Sequence, residues 1–137
     1  MRRRAFADTS AWLPVLLARE ERHADAVRTY AGLIKRRTQL VTTNLVVAEL
    51  HALMVRSRGA EAGVEMLDRL YSDPSHDVRF VDRDLEAAAV DRWLRVFKGQ
   101  RLSLADAVSF EVMRREGIRA AFALDRHFAV AGYELLL

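Results

Sequence analysis

Four carboxylates in this chain stand where local structure has little use for them: Asp8, Glu49, Asp106 and Asp125. Asp8 ends the apolar run Ala5-Phe6-Ala7, and Asp125 ends the run from Arg119 to Leu124. Glu49 has Leu45 and Leu53 four residues away on either side, so a helix there carries it on the apolar stripe, facing the core. Asp106 falls between Leu102 and Phe110, beside apolar neighbours at a helix start. The other acids, such as Glu20, Glu21, Glu61, Glu65 and Glu116, mostly fall on faces that read as solvated. If the four converge, two of them about 4 Å apart repel by ~4 kcal/mol at an effective dielectric of ~20. Such a cluster either takes up protons or holds a cation. The chain has no cysteine, and His23, His51 and His76 show no ligand spacing. An all-oxygen donor set suits a hard ion, Mg²⁺ or Mn²⁺. Such an ion can activate water and stabilise charge developing on a phosphodiester.

Each acid also has a plain reading. Asp8 can end a strand and open a turn with Thr9 and Ser10. Glu49 can reach solvent from a helix edge and pair with Arg56. Asp106 can be the acidic partner of a capping box with Ser103, and Asp125 can cap a short helix. The metal reading needs all four together; the plain readings need four coincidences.

Strands that alternate with helices would position these acids. Ala5–Ala7 reads as strand one, and a helical pattern runs from about Pro14 to Arg36. Gln39–Thr42 reads as strand two, followed by a helix capped by Thr43 and ended by Gly59. A further helix covers Ala60–Tyr71, and 78–81 alternates like strand three. A helix from Asp82 or Asp84 runs to Lys98, and another starts at Ser103 and ends at Gly117. Arg119–Leu124 is strand four, a short turn or helix follows Asp125, and Tyr133–Leu136 is strand five. This alternation argues for one α/β domain over 1–137 with a largely parallel sheet. Sites in such sheets lie beyond the carboxyl ends of the strands, where Asp8 and Asp125 fall.

Composition agrees with a cytoplasmic nucleic-acid enzyme. The 137 residues are 51% hydrophobic and 30% charged, enough for one core and a soluble surface. No apolar run approaches the ~20 residues of a membrane span. The net charge is +3, and nearly all the basic residues are arginine, whose planar fork suits phosphate. Setting the four acids aside leaves 22 basic residues against 15 acidic ones. An acidic, metal-filled pocket on a basic body suits cleavage of nucleic acid.

The stretches around the acids resemble PIN domains, and within them VapC-type toxins. They are Ala7-Asp8-Thr9-Ser10-Ala11, Thr43 to Glu49, Leu102 to Ala107, and Ala123-Leu124-Asp125-Arg126-His127-Phe128. The resemblance spans nearly the whole chain. It implies a central parallel sheet of about five strands in the order 3-2-1-4-5, flanked by helices. It also implies a Mg²⁺- or Mn²⁺-dependent endoribonuclease, the toxin of a toxin–antitoxin pair. Asp8, Glu49, Asp106 and Asp125 would be its metal-binding acids, with Thr9 or Ser10 assisting by hydroxyl or backbone. A homodimer and a separately encoded antitoxin are implied as partners. One departure stands out: many relatives carry Thr or Ser two residues before the last acid, where this chain has Ala123.

Two other functions compete. One is a magnesium-dependent phosphatase with Asp8 as nucleophile; that chemistry wants a second Asp two residues on, where Ser10 stands, and a lysine better placed than Lys35 or Lys98. The other is a PIN-like module that binds RNA or protein without cutting, which a lost acid would mark. Beside the acids, His127 can touch RNA or metal-bound water, though a surface or packing role is commoner. Trp12 can stack on a base, with core packing the simpler reading. The Leu13, Leu16, Leu17 stripe can be core or a partner surface, Asp91 reads as solvated, and Arg2, Arg3 and Arg4 can touch phosphate or only solvent.

Overall fold

β1 (Arg4–Ala7) is the central strand of the sheet, and its short, small-and-aromatic sequence fits that place, since both faces are covered. Ala5, Phe6 and Ala7 have almost no exposed surface. In the computed structural model, which describes residues 2–137, five strands form one parallel sheet in the order β3-β2-β1-β4-β5. The others are β2 (Gln39–Thr43), β3 (His76–Arg79), β4 (Ala120–Phe122) and β5 (Glu134–Leu135). Phe6 aligns with Val41 on one side and Ala121 on the other. Strands one, two and four therefore end together, as the expected topology requires.

Seven α-helices flank the sheet: α1 (Thr9–Leu16), α2 (His23–Lys35), α3 (Asn44–Arg58), α4 (Ala60–Ser72), α5 (Arg83–Ala89), α6 (Leu104–Glu116) and α7 (His127–Val130). Their ends follow the residues that stop or start helices. Thr43 caps α3 by accepting the Val46 N–H, and Gly59 ends it at φ 93°. Ser103 and Asp106 form a reciprocal capping box at the start of α6. On the other side of the sheet from α3 and α4, Phe110 of α6 meets Phe128 edge-to-face at 4.9 Å.

β4 and β5 are shorter than expected, and three other elements differ. The helix expected from Pro14 to Arg36 is two helices, α1 and α2. Asp8 caps α1 at Thr9, so Pro14 falls inside that helix, not in its first turn, and Leu17 turns extended. β3 lies two residues earlier than 78–81. Ser75 and His76 are turned into the sheet by Asp73, while the Val81 N–H leaves it for Asn44 Oδ1. The helix expected to reach Lys98 stops at Ala89 and passes into a π-turn over Val90–Leu94. That wider turn carries Trp93 onto Phe110 and gives its indole N–H to Glu111. Among the described residues, no helix is long and apolar enough to cross a membrane.

Candidate active site

The carboxyl ends of β1 and β4 lie side by side, so the residues that follow them meet. The Asp8 N–H donates to the Phe122 carbonyl, which ties the first acid to the strand leading to the last. Ser10 completes the link. Its hydroxyl donates to Asp8 Oδ2 at 2.7 Å and accepts the backbone N–H groups of Leu124 and Asp125 at 2.9 and 3.1 Å. These last two bonds also end β4 at Phe122, short of the expected Leu124. Thr9 points elsewhere: its hydroxyl lies 3.4 Å from the Val46 carbonyl of α3. Of the two hydroxyls expected to assist, Ser10 is the one among the acids.

Asp106 enters from the first turn of α6, and its capping and clustering roles coexist. Its Oδ2 accepts the Ser103 N–H at 3.2 Å and lies 3.6 Å from His127 Nδ1. Asp125 Oδ1 lies 3.3 Å from the same nitrogen and accepts the His127 backbone N–H. One ligand atom each from Asp106, Asp125 and His127 fall within 4.8 Å of one another. His127 Nδ1 is buried and has no hydrogen-bond partner. A buried imidazole nitrogen facing two carboxylates is a donor set that fits a cation between them. His127, read from sequence as a surface or packing residue first, is thus part of the cluster; its place two residues after Asp125 was the available signal.

Electrostatics agree. Burial pushes the Asp8 carboxyl up to about 6; the Ser10 hydrogen bonds oppose this, and the Asp106 and Asp125 charges add to it. Burial raises Asp106 as well, against the Ser103 N–H and with the Asp125 charge. Burial is the main cause in both cases, with the neighbouring carboxylates adding to it.

Glu49 does not join this group, and its expected orientation is corrected. The buried stripe of α3 is Val46, Val47, Leu50 and Met54, and Glu49 is exposed beside it. The stripe follows the face that packs under α1 and α4, which Leu45 and Leu53 only border. Glu49 lies on the same helix as Val46, whose carbonyl faces the Thr9 hydroxyl, but its own side chain is exposed.

Elsewhere, two acids depart from a simple solvated role. Glu116 takes Arg79 through both oxygens and Arg4 through one. Glu111 has no exposed side-chain surface; burial would raise it, but hydrogen bonds from Arg114, Arg115 and Trp93 together bring it down to about 2. No local pattern marks Glu111 beforehand, since it lies on a helix with arginines nearby like any surface acid. Asp91 is solvated and pairs with Arg95, and Trp12 is core, 3% exposed.

Residues 5–132 match the PIN domain family. The chain belongs to the PIN-domain family. Two curated relatives are the 23S rRNA-specific endonuclease VapC20 of Mycobacterium tuberculosis, from strains CDC 1551 and H37Rv. Each is 35% identical over 128 residues, covering 93% of this chain and 94% of the relative. The crystal structure of Mycobacterium tuberculosis VapC20, described as a Sarcin-Ricin loop cleaving toxin, superposes with a TM-score of 0.85 at 34% identity, covering 94% of this chain and 95% of that one. FitAcB from Neisseria gonorrhoeae shares the fold, with a TM-score of 0.65 at 18% identity over 96% and 95% of the two chains. In this PIN domain the acids of the resembling stretches follow β1, lie on α3 and α6, and follow β4; Asp106 and Asp125 meet at His127, and Ser10 ties Asp8 to the Asp125 backbone.

Proposed function

We propose that the chain is a divalent-metal-dependent endoribonuclease, the toxin of a toxin–antitoxin pair, acting in the cytoplasm on folded ribosomal RNA. The observation that carries this reading is that Asp106, Asp125 and His127 offer ligand atoms within 4.8 Å of one another, with Asp8 tied to the Asp125 backbone through Ser10. Similarity to an rRNA-specific endonuclease over nearly the whole chain supports the substrate class.

Asp8, Asp106, Asp125 and His127 would hold the ion, Mg²⁺ or Mn²⁺, with Glu49 the further acid that the family resemblance implies. The bound ion supplies Lewis-acid stabilisation of the phosphate and a reactive water at neutral pH. The chain's own residues do the positioning. Ser10 holds Asp8 and the Asp125 backbone in one arrangement, and the Ser103 box holds Asp106. Burial of Asp8 lowers the local dielectric and strengthens its pull on a cation.

A separately encoded antitoxin is the expected protein partner, and a homodimer is the expected state of the toxin. The phosphatase reading loses its support, since the residue two after Asp8 is bonded to Asp8 itself and Lys35 lies at the far end of α2.

The test is cleavage of large-subunit ribosomal RNA with Mg²⁺, Mn²⁺ or EDTA, beside identically prepared Asp8→Asn and Asp106→Asn proteins. Metal-dependent cutting by the wild type alone supports the reading. Equal cutting by all three proteins marks contaminating ribonuclease, and binding without cutting by well-folded wild type returns the chain to a binding module.

A further inference from the structure

The end of the sheet opposite the acids carries an arginine cavity. Arg2 and Arg3 lead into β1, Arg36 and Arg37 end α2, and these four residues line one solvent-open cavity. Among the described residues no carboxylate lies within ion-pair distance of any of them, whereas Arg4, next in sequence, is neutralised by Glu116. The Arg2 Nε–H donates to the Arg37 carbonyl at 3.1 Å, which joins the two pairs.

The chain accepts two local costs to hold these side chains. Arg37 sits at φ 57°, in the left-handed region just past a helix, where glycine is the favoured residue. Arg36 folds back on α2 over Gly32, where a Cβ would approach Nη1 to 3.3 Å. Glycine inside a helix is unfavourable, so the room it leaves for a guanidinium is a second specific feature. Favourable charges at a helix carboxyl end account for Lys35 and Arg36. They do not account for an arginine in a glycine's conformation, or for Arg2 and Arg3, which belong to another element.

We propose that Arg2, Arg3, Arg36 and Arg37 form a phosphate-binding site for the RNA backbone, remote from the cleavage centre. This rests on the ribonuclease reading above. Four guanidinium forks with no acid and no apolar anchor in the lining suit phosphate oxygens. The strands between the two sites are at most five residues, about 16 Å at ~3.3 Å per residue, so one folded RNA can reach both. The site reads no sequence; it holds the substrate in register while the acids cut.

The test is binding of a labelled, folded large-subunit ribosomal RNA fragment to full-length Asp8→Asn protein in EDTA, across a salt series. The same protein carrying Arg2→Gln, Arg3→Gln, Arg36→Gln and Arg37→Gln should bind at least about tenfold more weakly at low salt. Its slope of log affinity against log salt should be shallower by about 3, at ~0.7–0.9 for each phosphate no longer neutralised. Arg37→Gly alone separates binding from folding: it should weaken RNA binding while leaving Tm equal or higher. A lower Tm with unchanged RNA binding would make Arg37 a structural residue and overturn the proposal. Equal affinity and slope for the fourfold variant would also overturn it, assigning the cavity to an acidic protein and leaving the ribonuclease reading intact. Failure of the parent protein to bind RNA would overturn the phosphate site, while metal-dependent cleavage by the wild type decides the ribonuclease reading separately.

Discussion

Ser10 Oγ accepts the Asp125 backbone N–H at 3.1 Å across 115 residues of chain, while donating to Asp8 Oδ2 at 2.7 Å. One hydroxyl therefore ties the loop after the central strand to the loop after β4. It lies beside the segment of Ala123, which carries no hydroxyl of its own, and it supplies a hydroxyl there from another element. Ser10→Ala leaves the Leu124 and Asp125 N–H groups unpaired. The expected cost is about 2 kcal/mol in urea unfolding, together with weaker Mn²⁺ binding by calorimetry. Unchanged stability and unchanged binding would show that water replaces the hydroxyl without penalty.

Asp8 makes the metal-free protein pH-sensitive. Its folded value of about 6 lies above the ordinary 3.8, so folding favours the protonated form. The associated stability is fully present below 3.8 and is lost as pH rises through about 6, an effect on the order of 3 kcal/mol. In EDTA, Tm should fall across that window for the wild type and much less for Asp8→Asn. A saturating divalent ion should flatten the wild-type curve, because it binds the ionised form. Parallel curves for the two proteins in EDTA would refute this.

His127→Ala should weaken Mn²⁺ binding by about tenfold and Mg²⁺ binding by less, since imidazole favours transition metals over magnesium. Manganese electron paramagnetic resonance reads the effect without any cleavage assay. A change equal for both ions would place His127 outside the ligand set.

Glu49 separates activity from stability. It is exposed, so Glu49→Gln should change unfolding free energy by no more than about 0.5 kcal/mol. RNA cleavage should nonetheless fall by at least about tenfold. Retained cleavage would remove Glu49 from the active site.

Glu111→Gln is the contrasting case. The substitution strips a buried charge from Arg114, Arg115 and Arg92. A loss of about 2 kcal/mol is expected after allowance for the partly exposed arginines. Metal binding should be unaffected, because the network lies along α6 away from Asp106. A metal-affinity change as large as that of Ser10→Ala would contradict this separation.

The sequence by itself determined the alternation of strands and helices, the caps at Thr43, Ser103, Gly59 and Gly117, and the identity of the four candidate acids. Those features are local: a cap, a stop or an apolar period is set by residues within a turn or two of each other. It did not show that the helix before β2 is two helices, because no Gly or Pro marks the break at Leu17, where the chain turns extended before α2 starts at His23. Nor did it show that Glu49 lies outside the buried stripe, since the face of α3 that counts as inside depends on how α1 and α4 lie against it. Asp106 and Asp125 meet, and His127 Nδ1 turns between them, only because β4 pairs with β1 and α6 packs alongside. The entropy lost in bringing such distant residues together is offset by burial of the whole core, so only the tertiary structure could decide them.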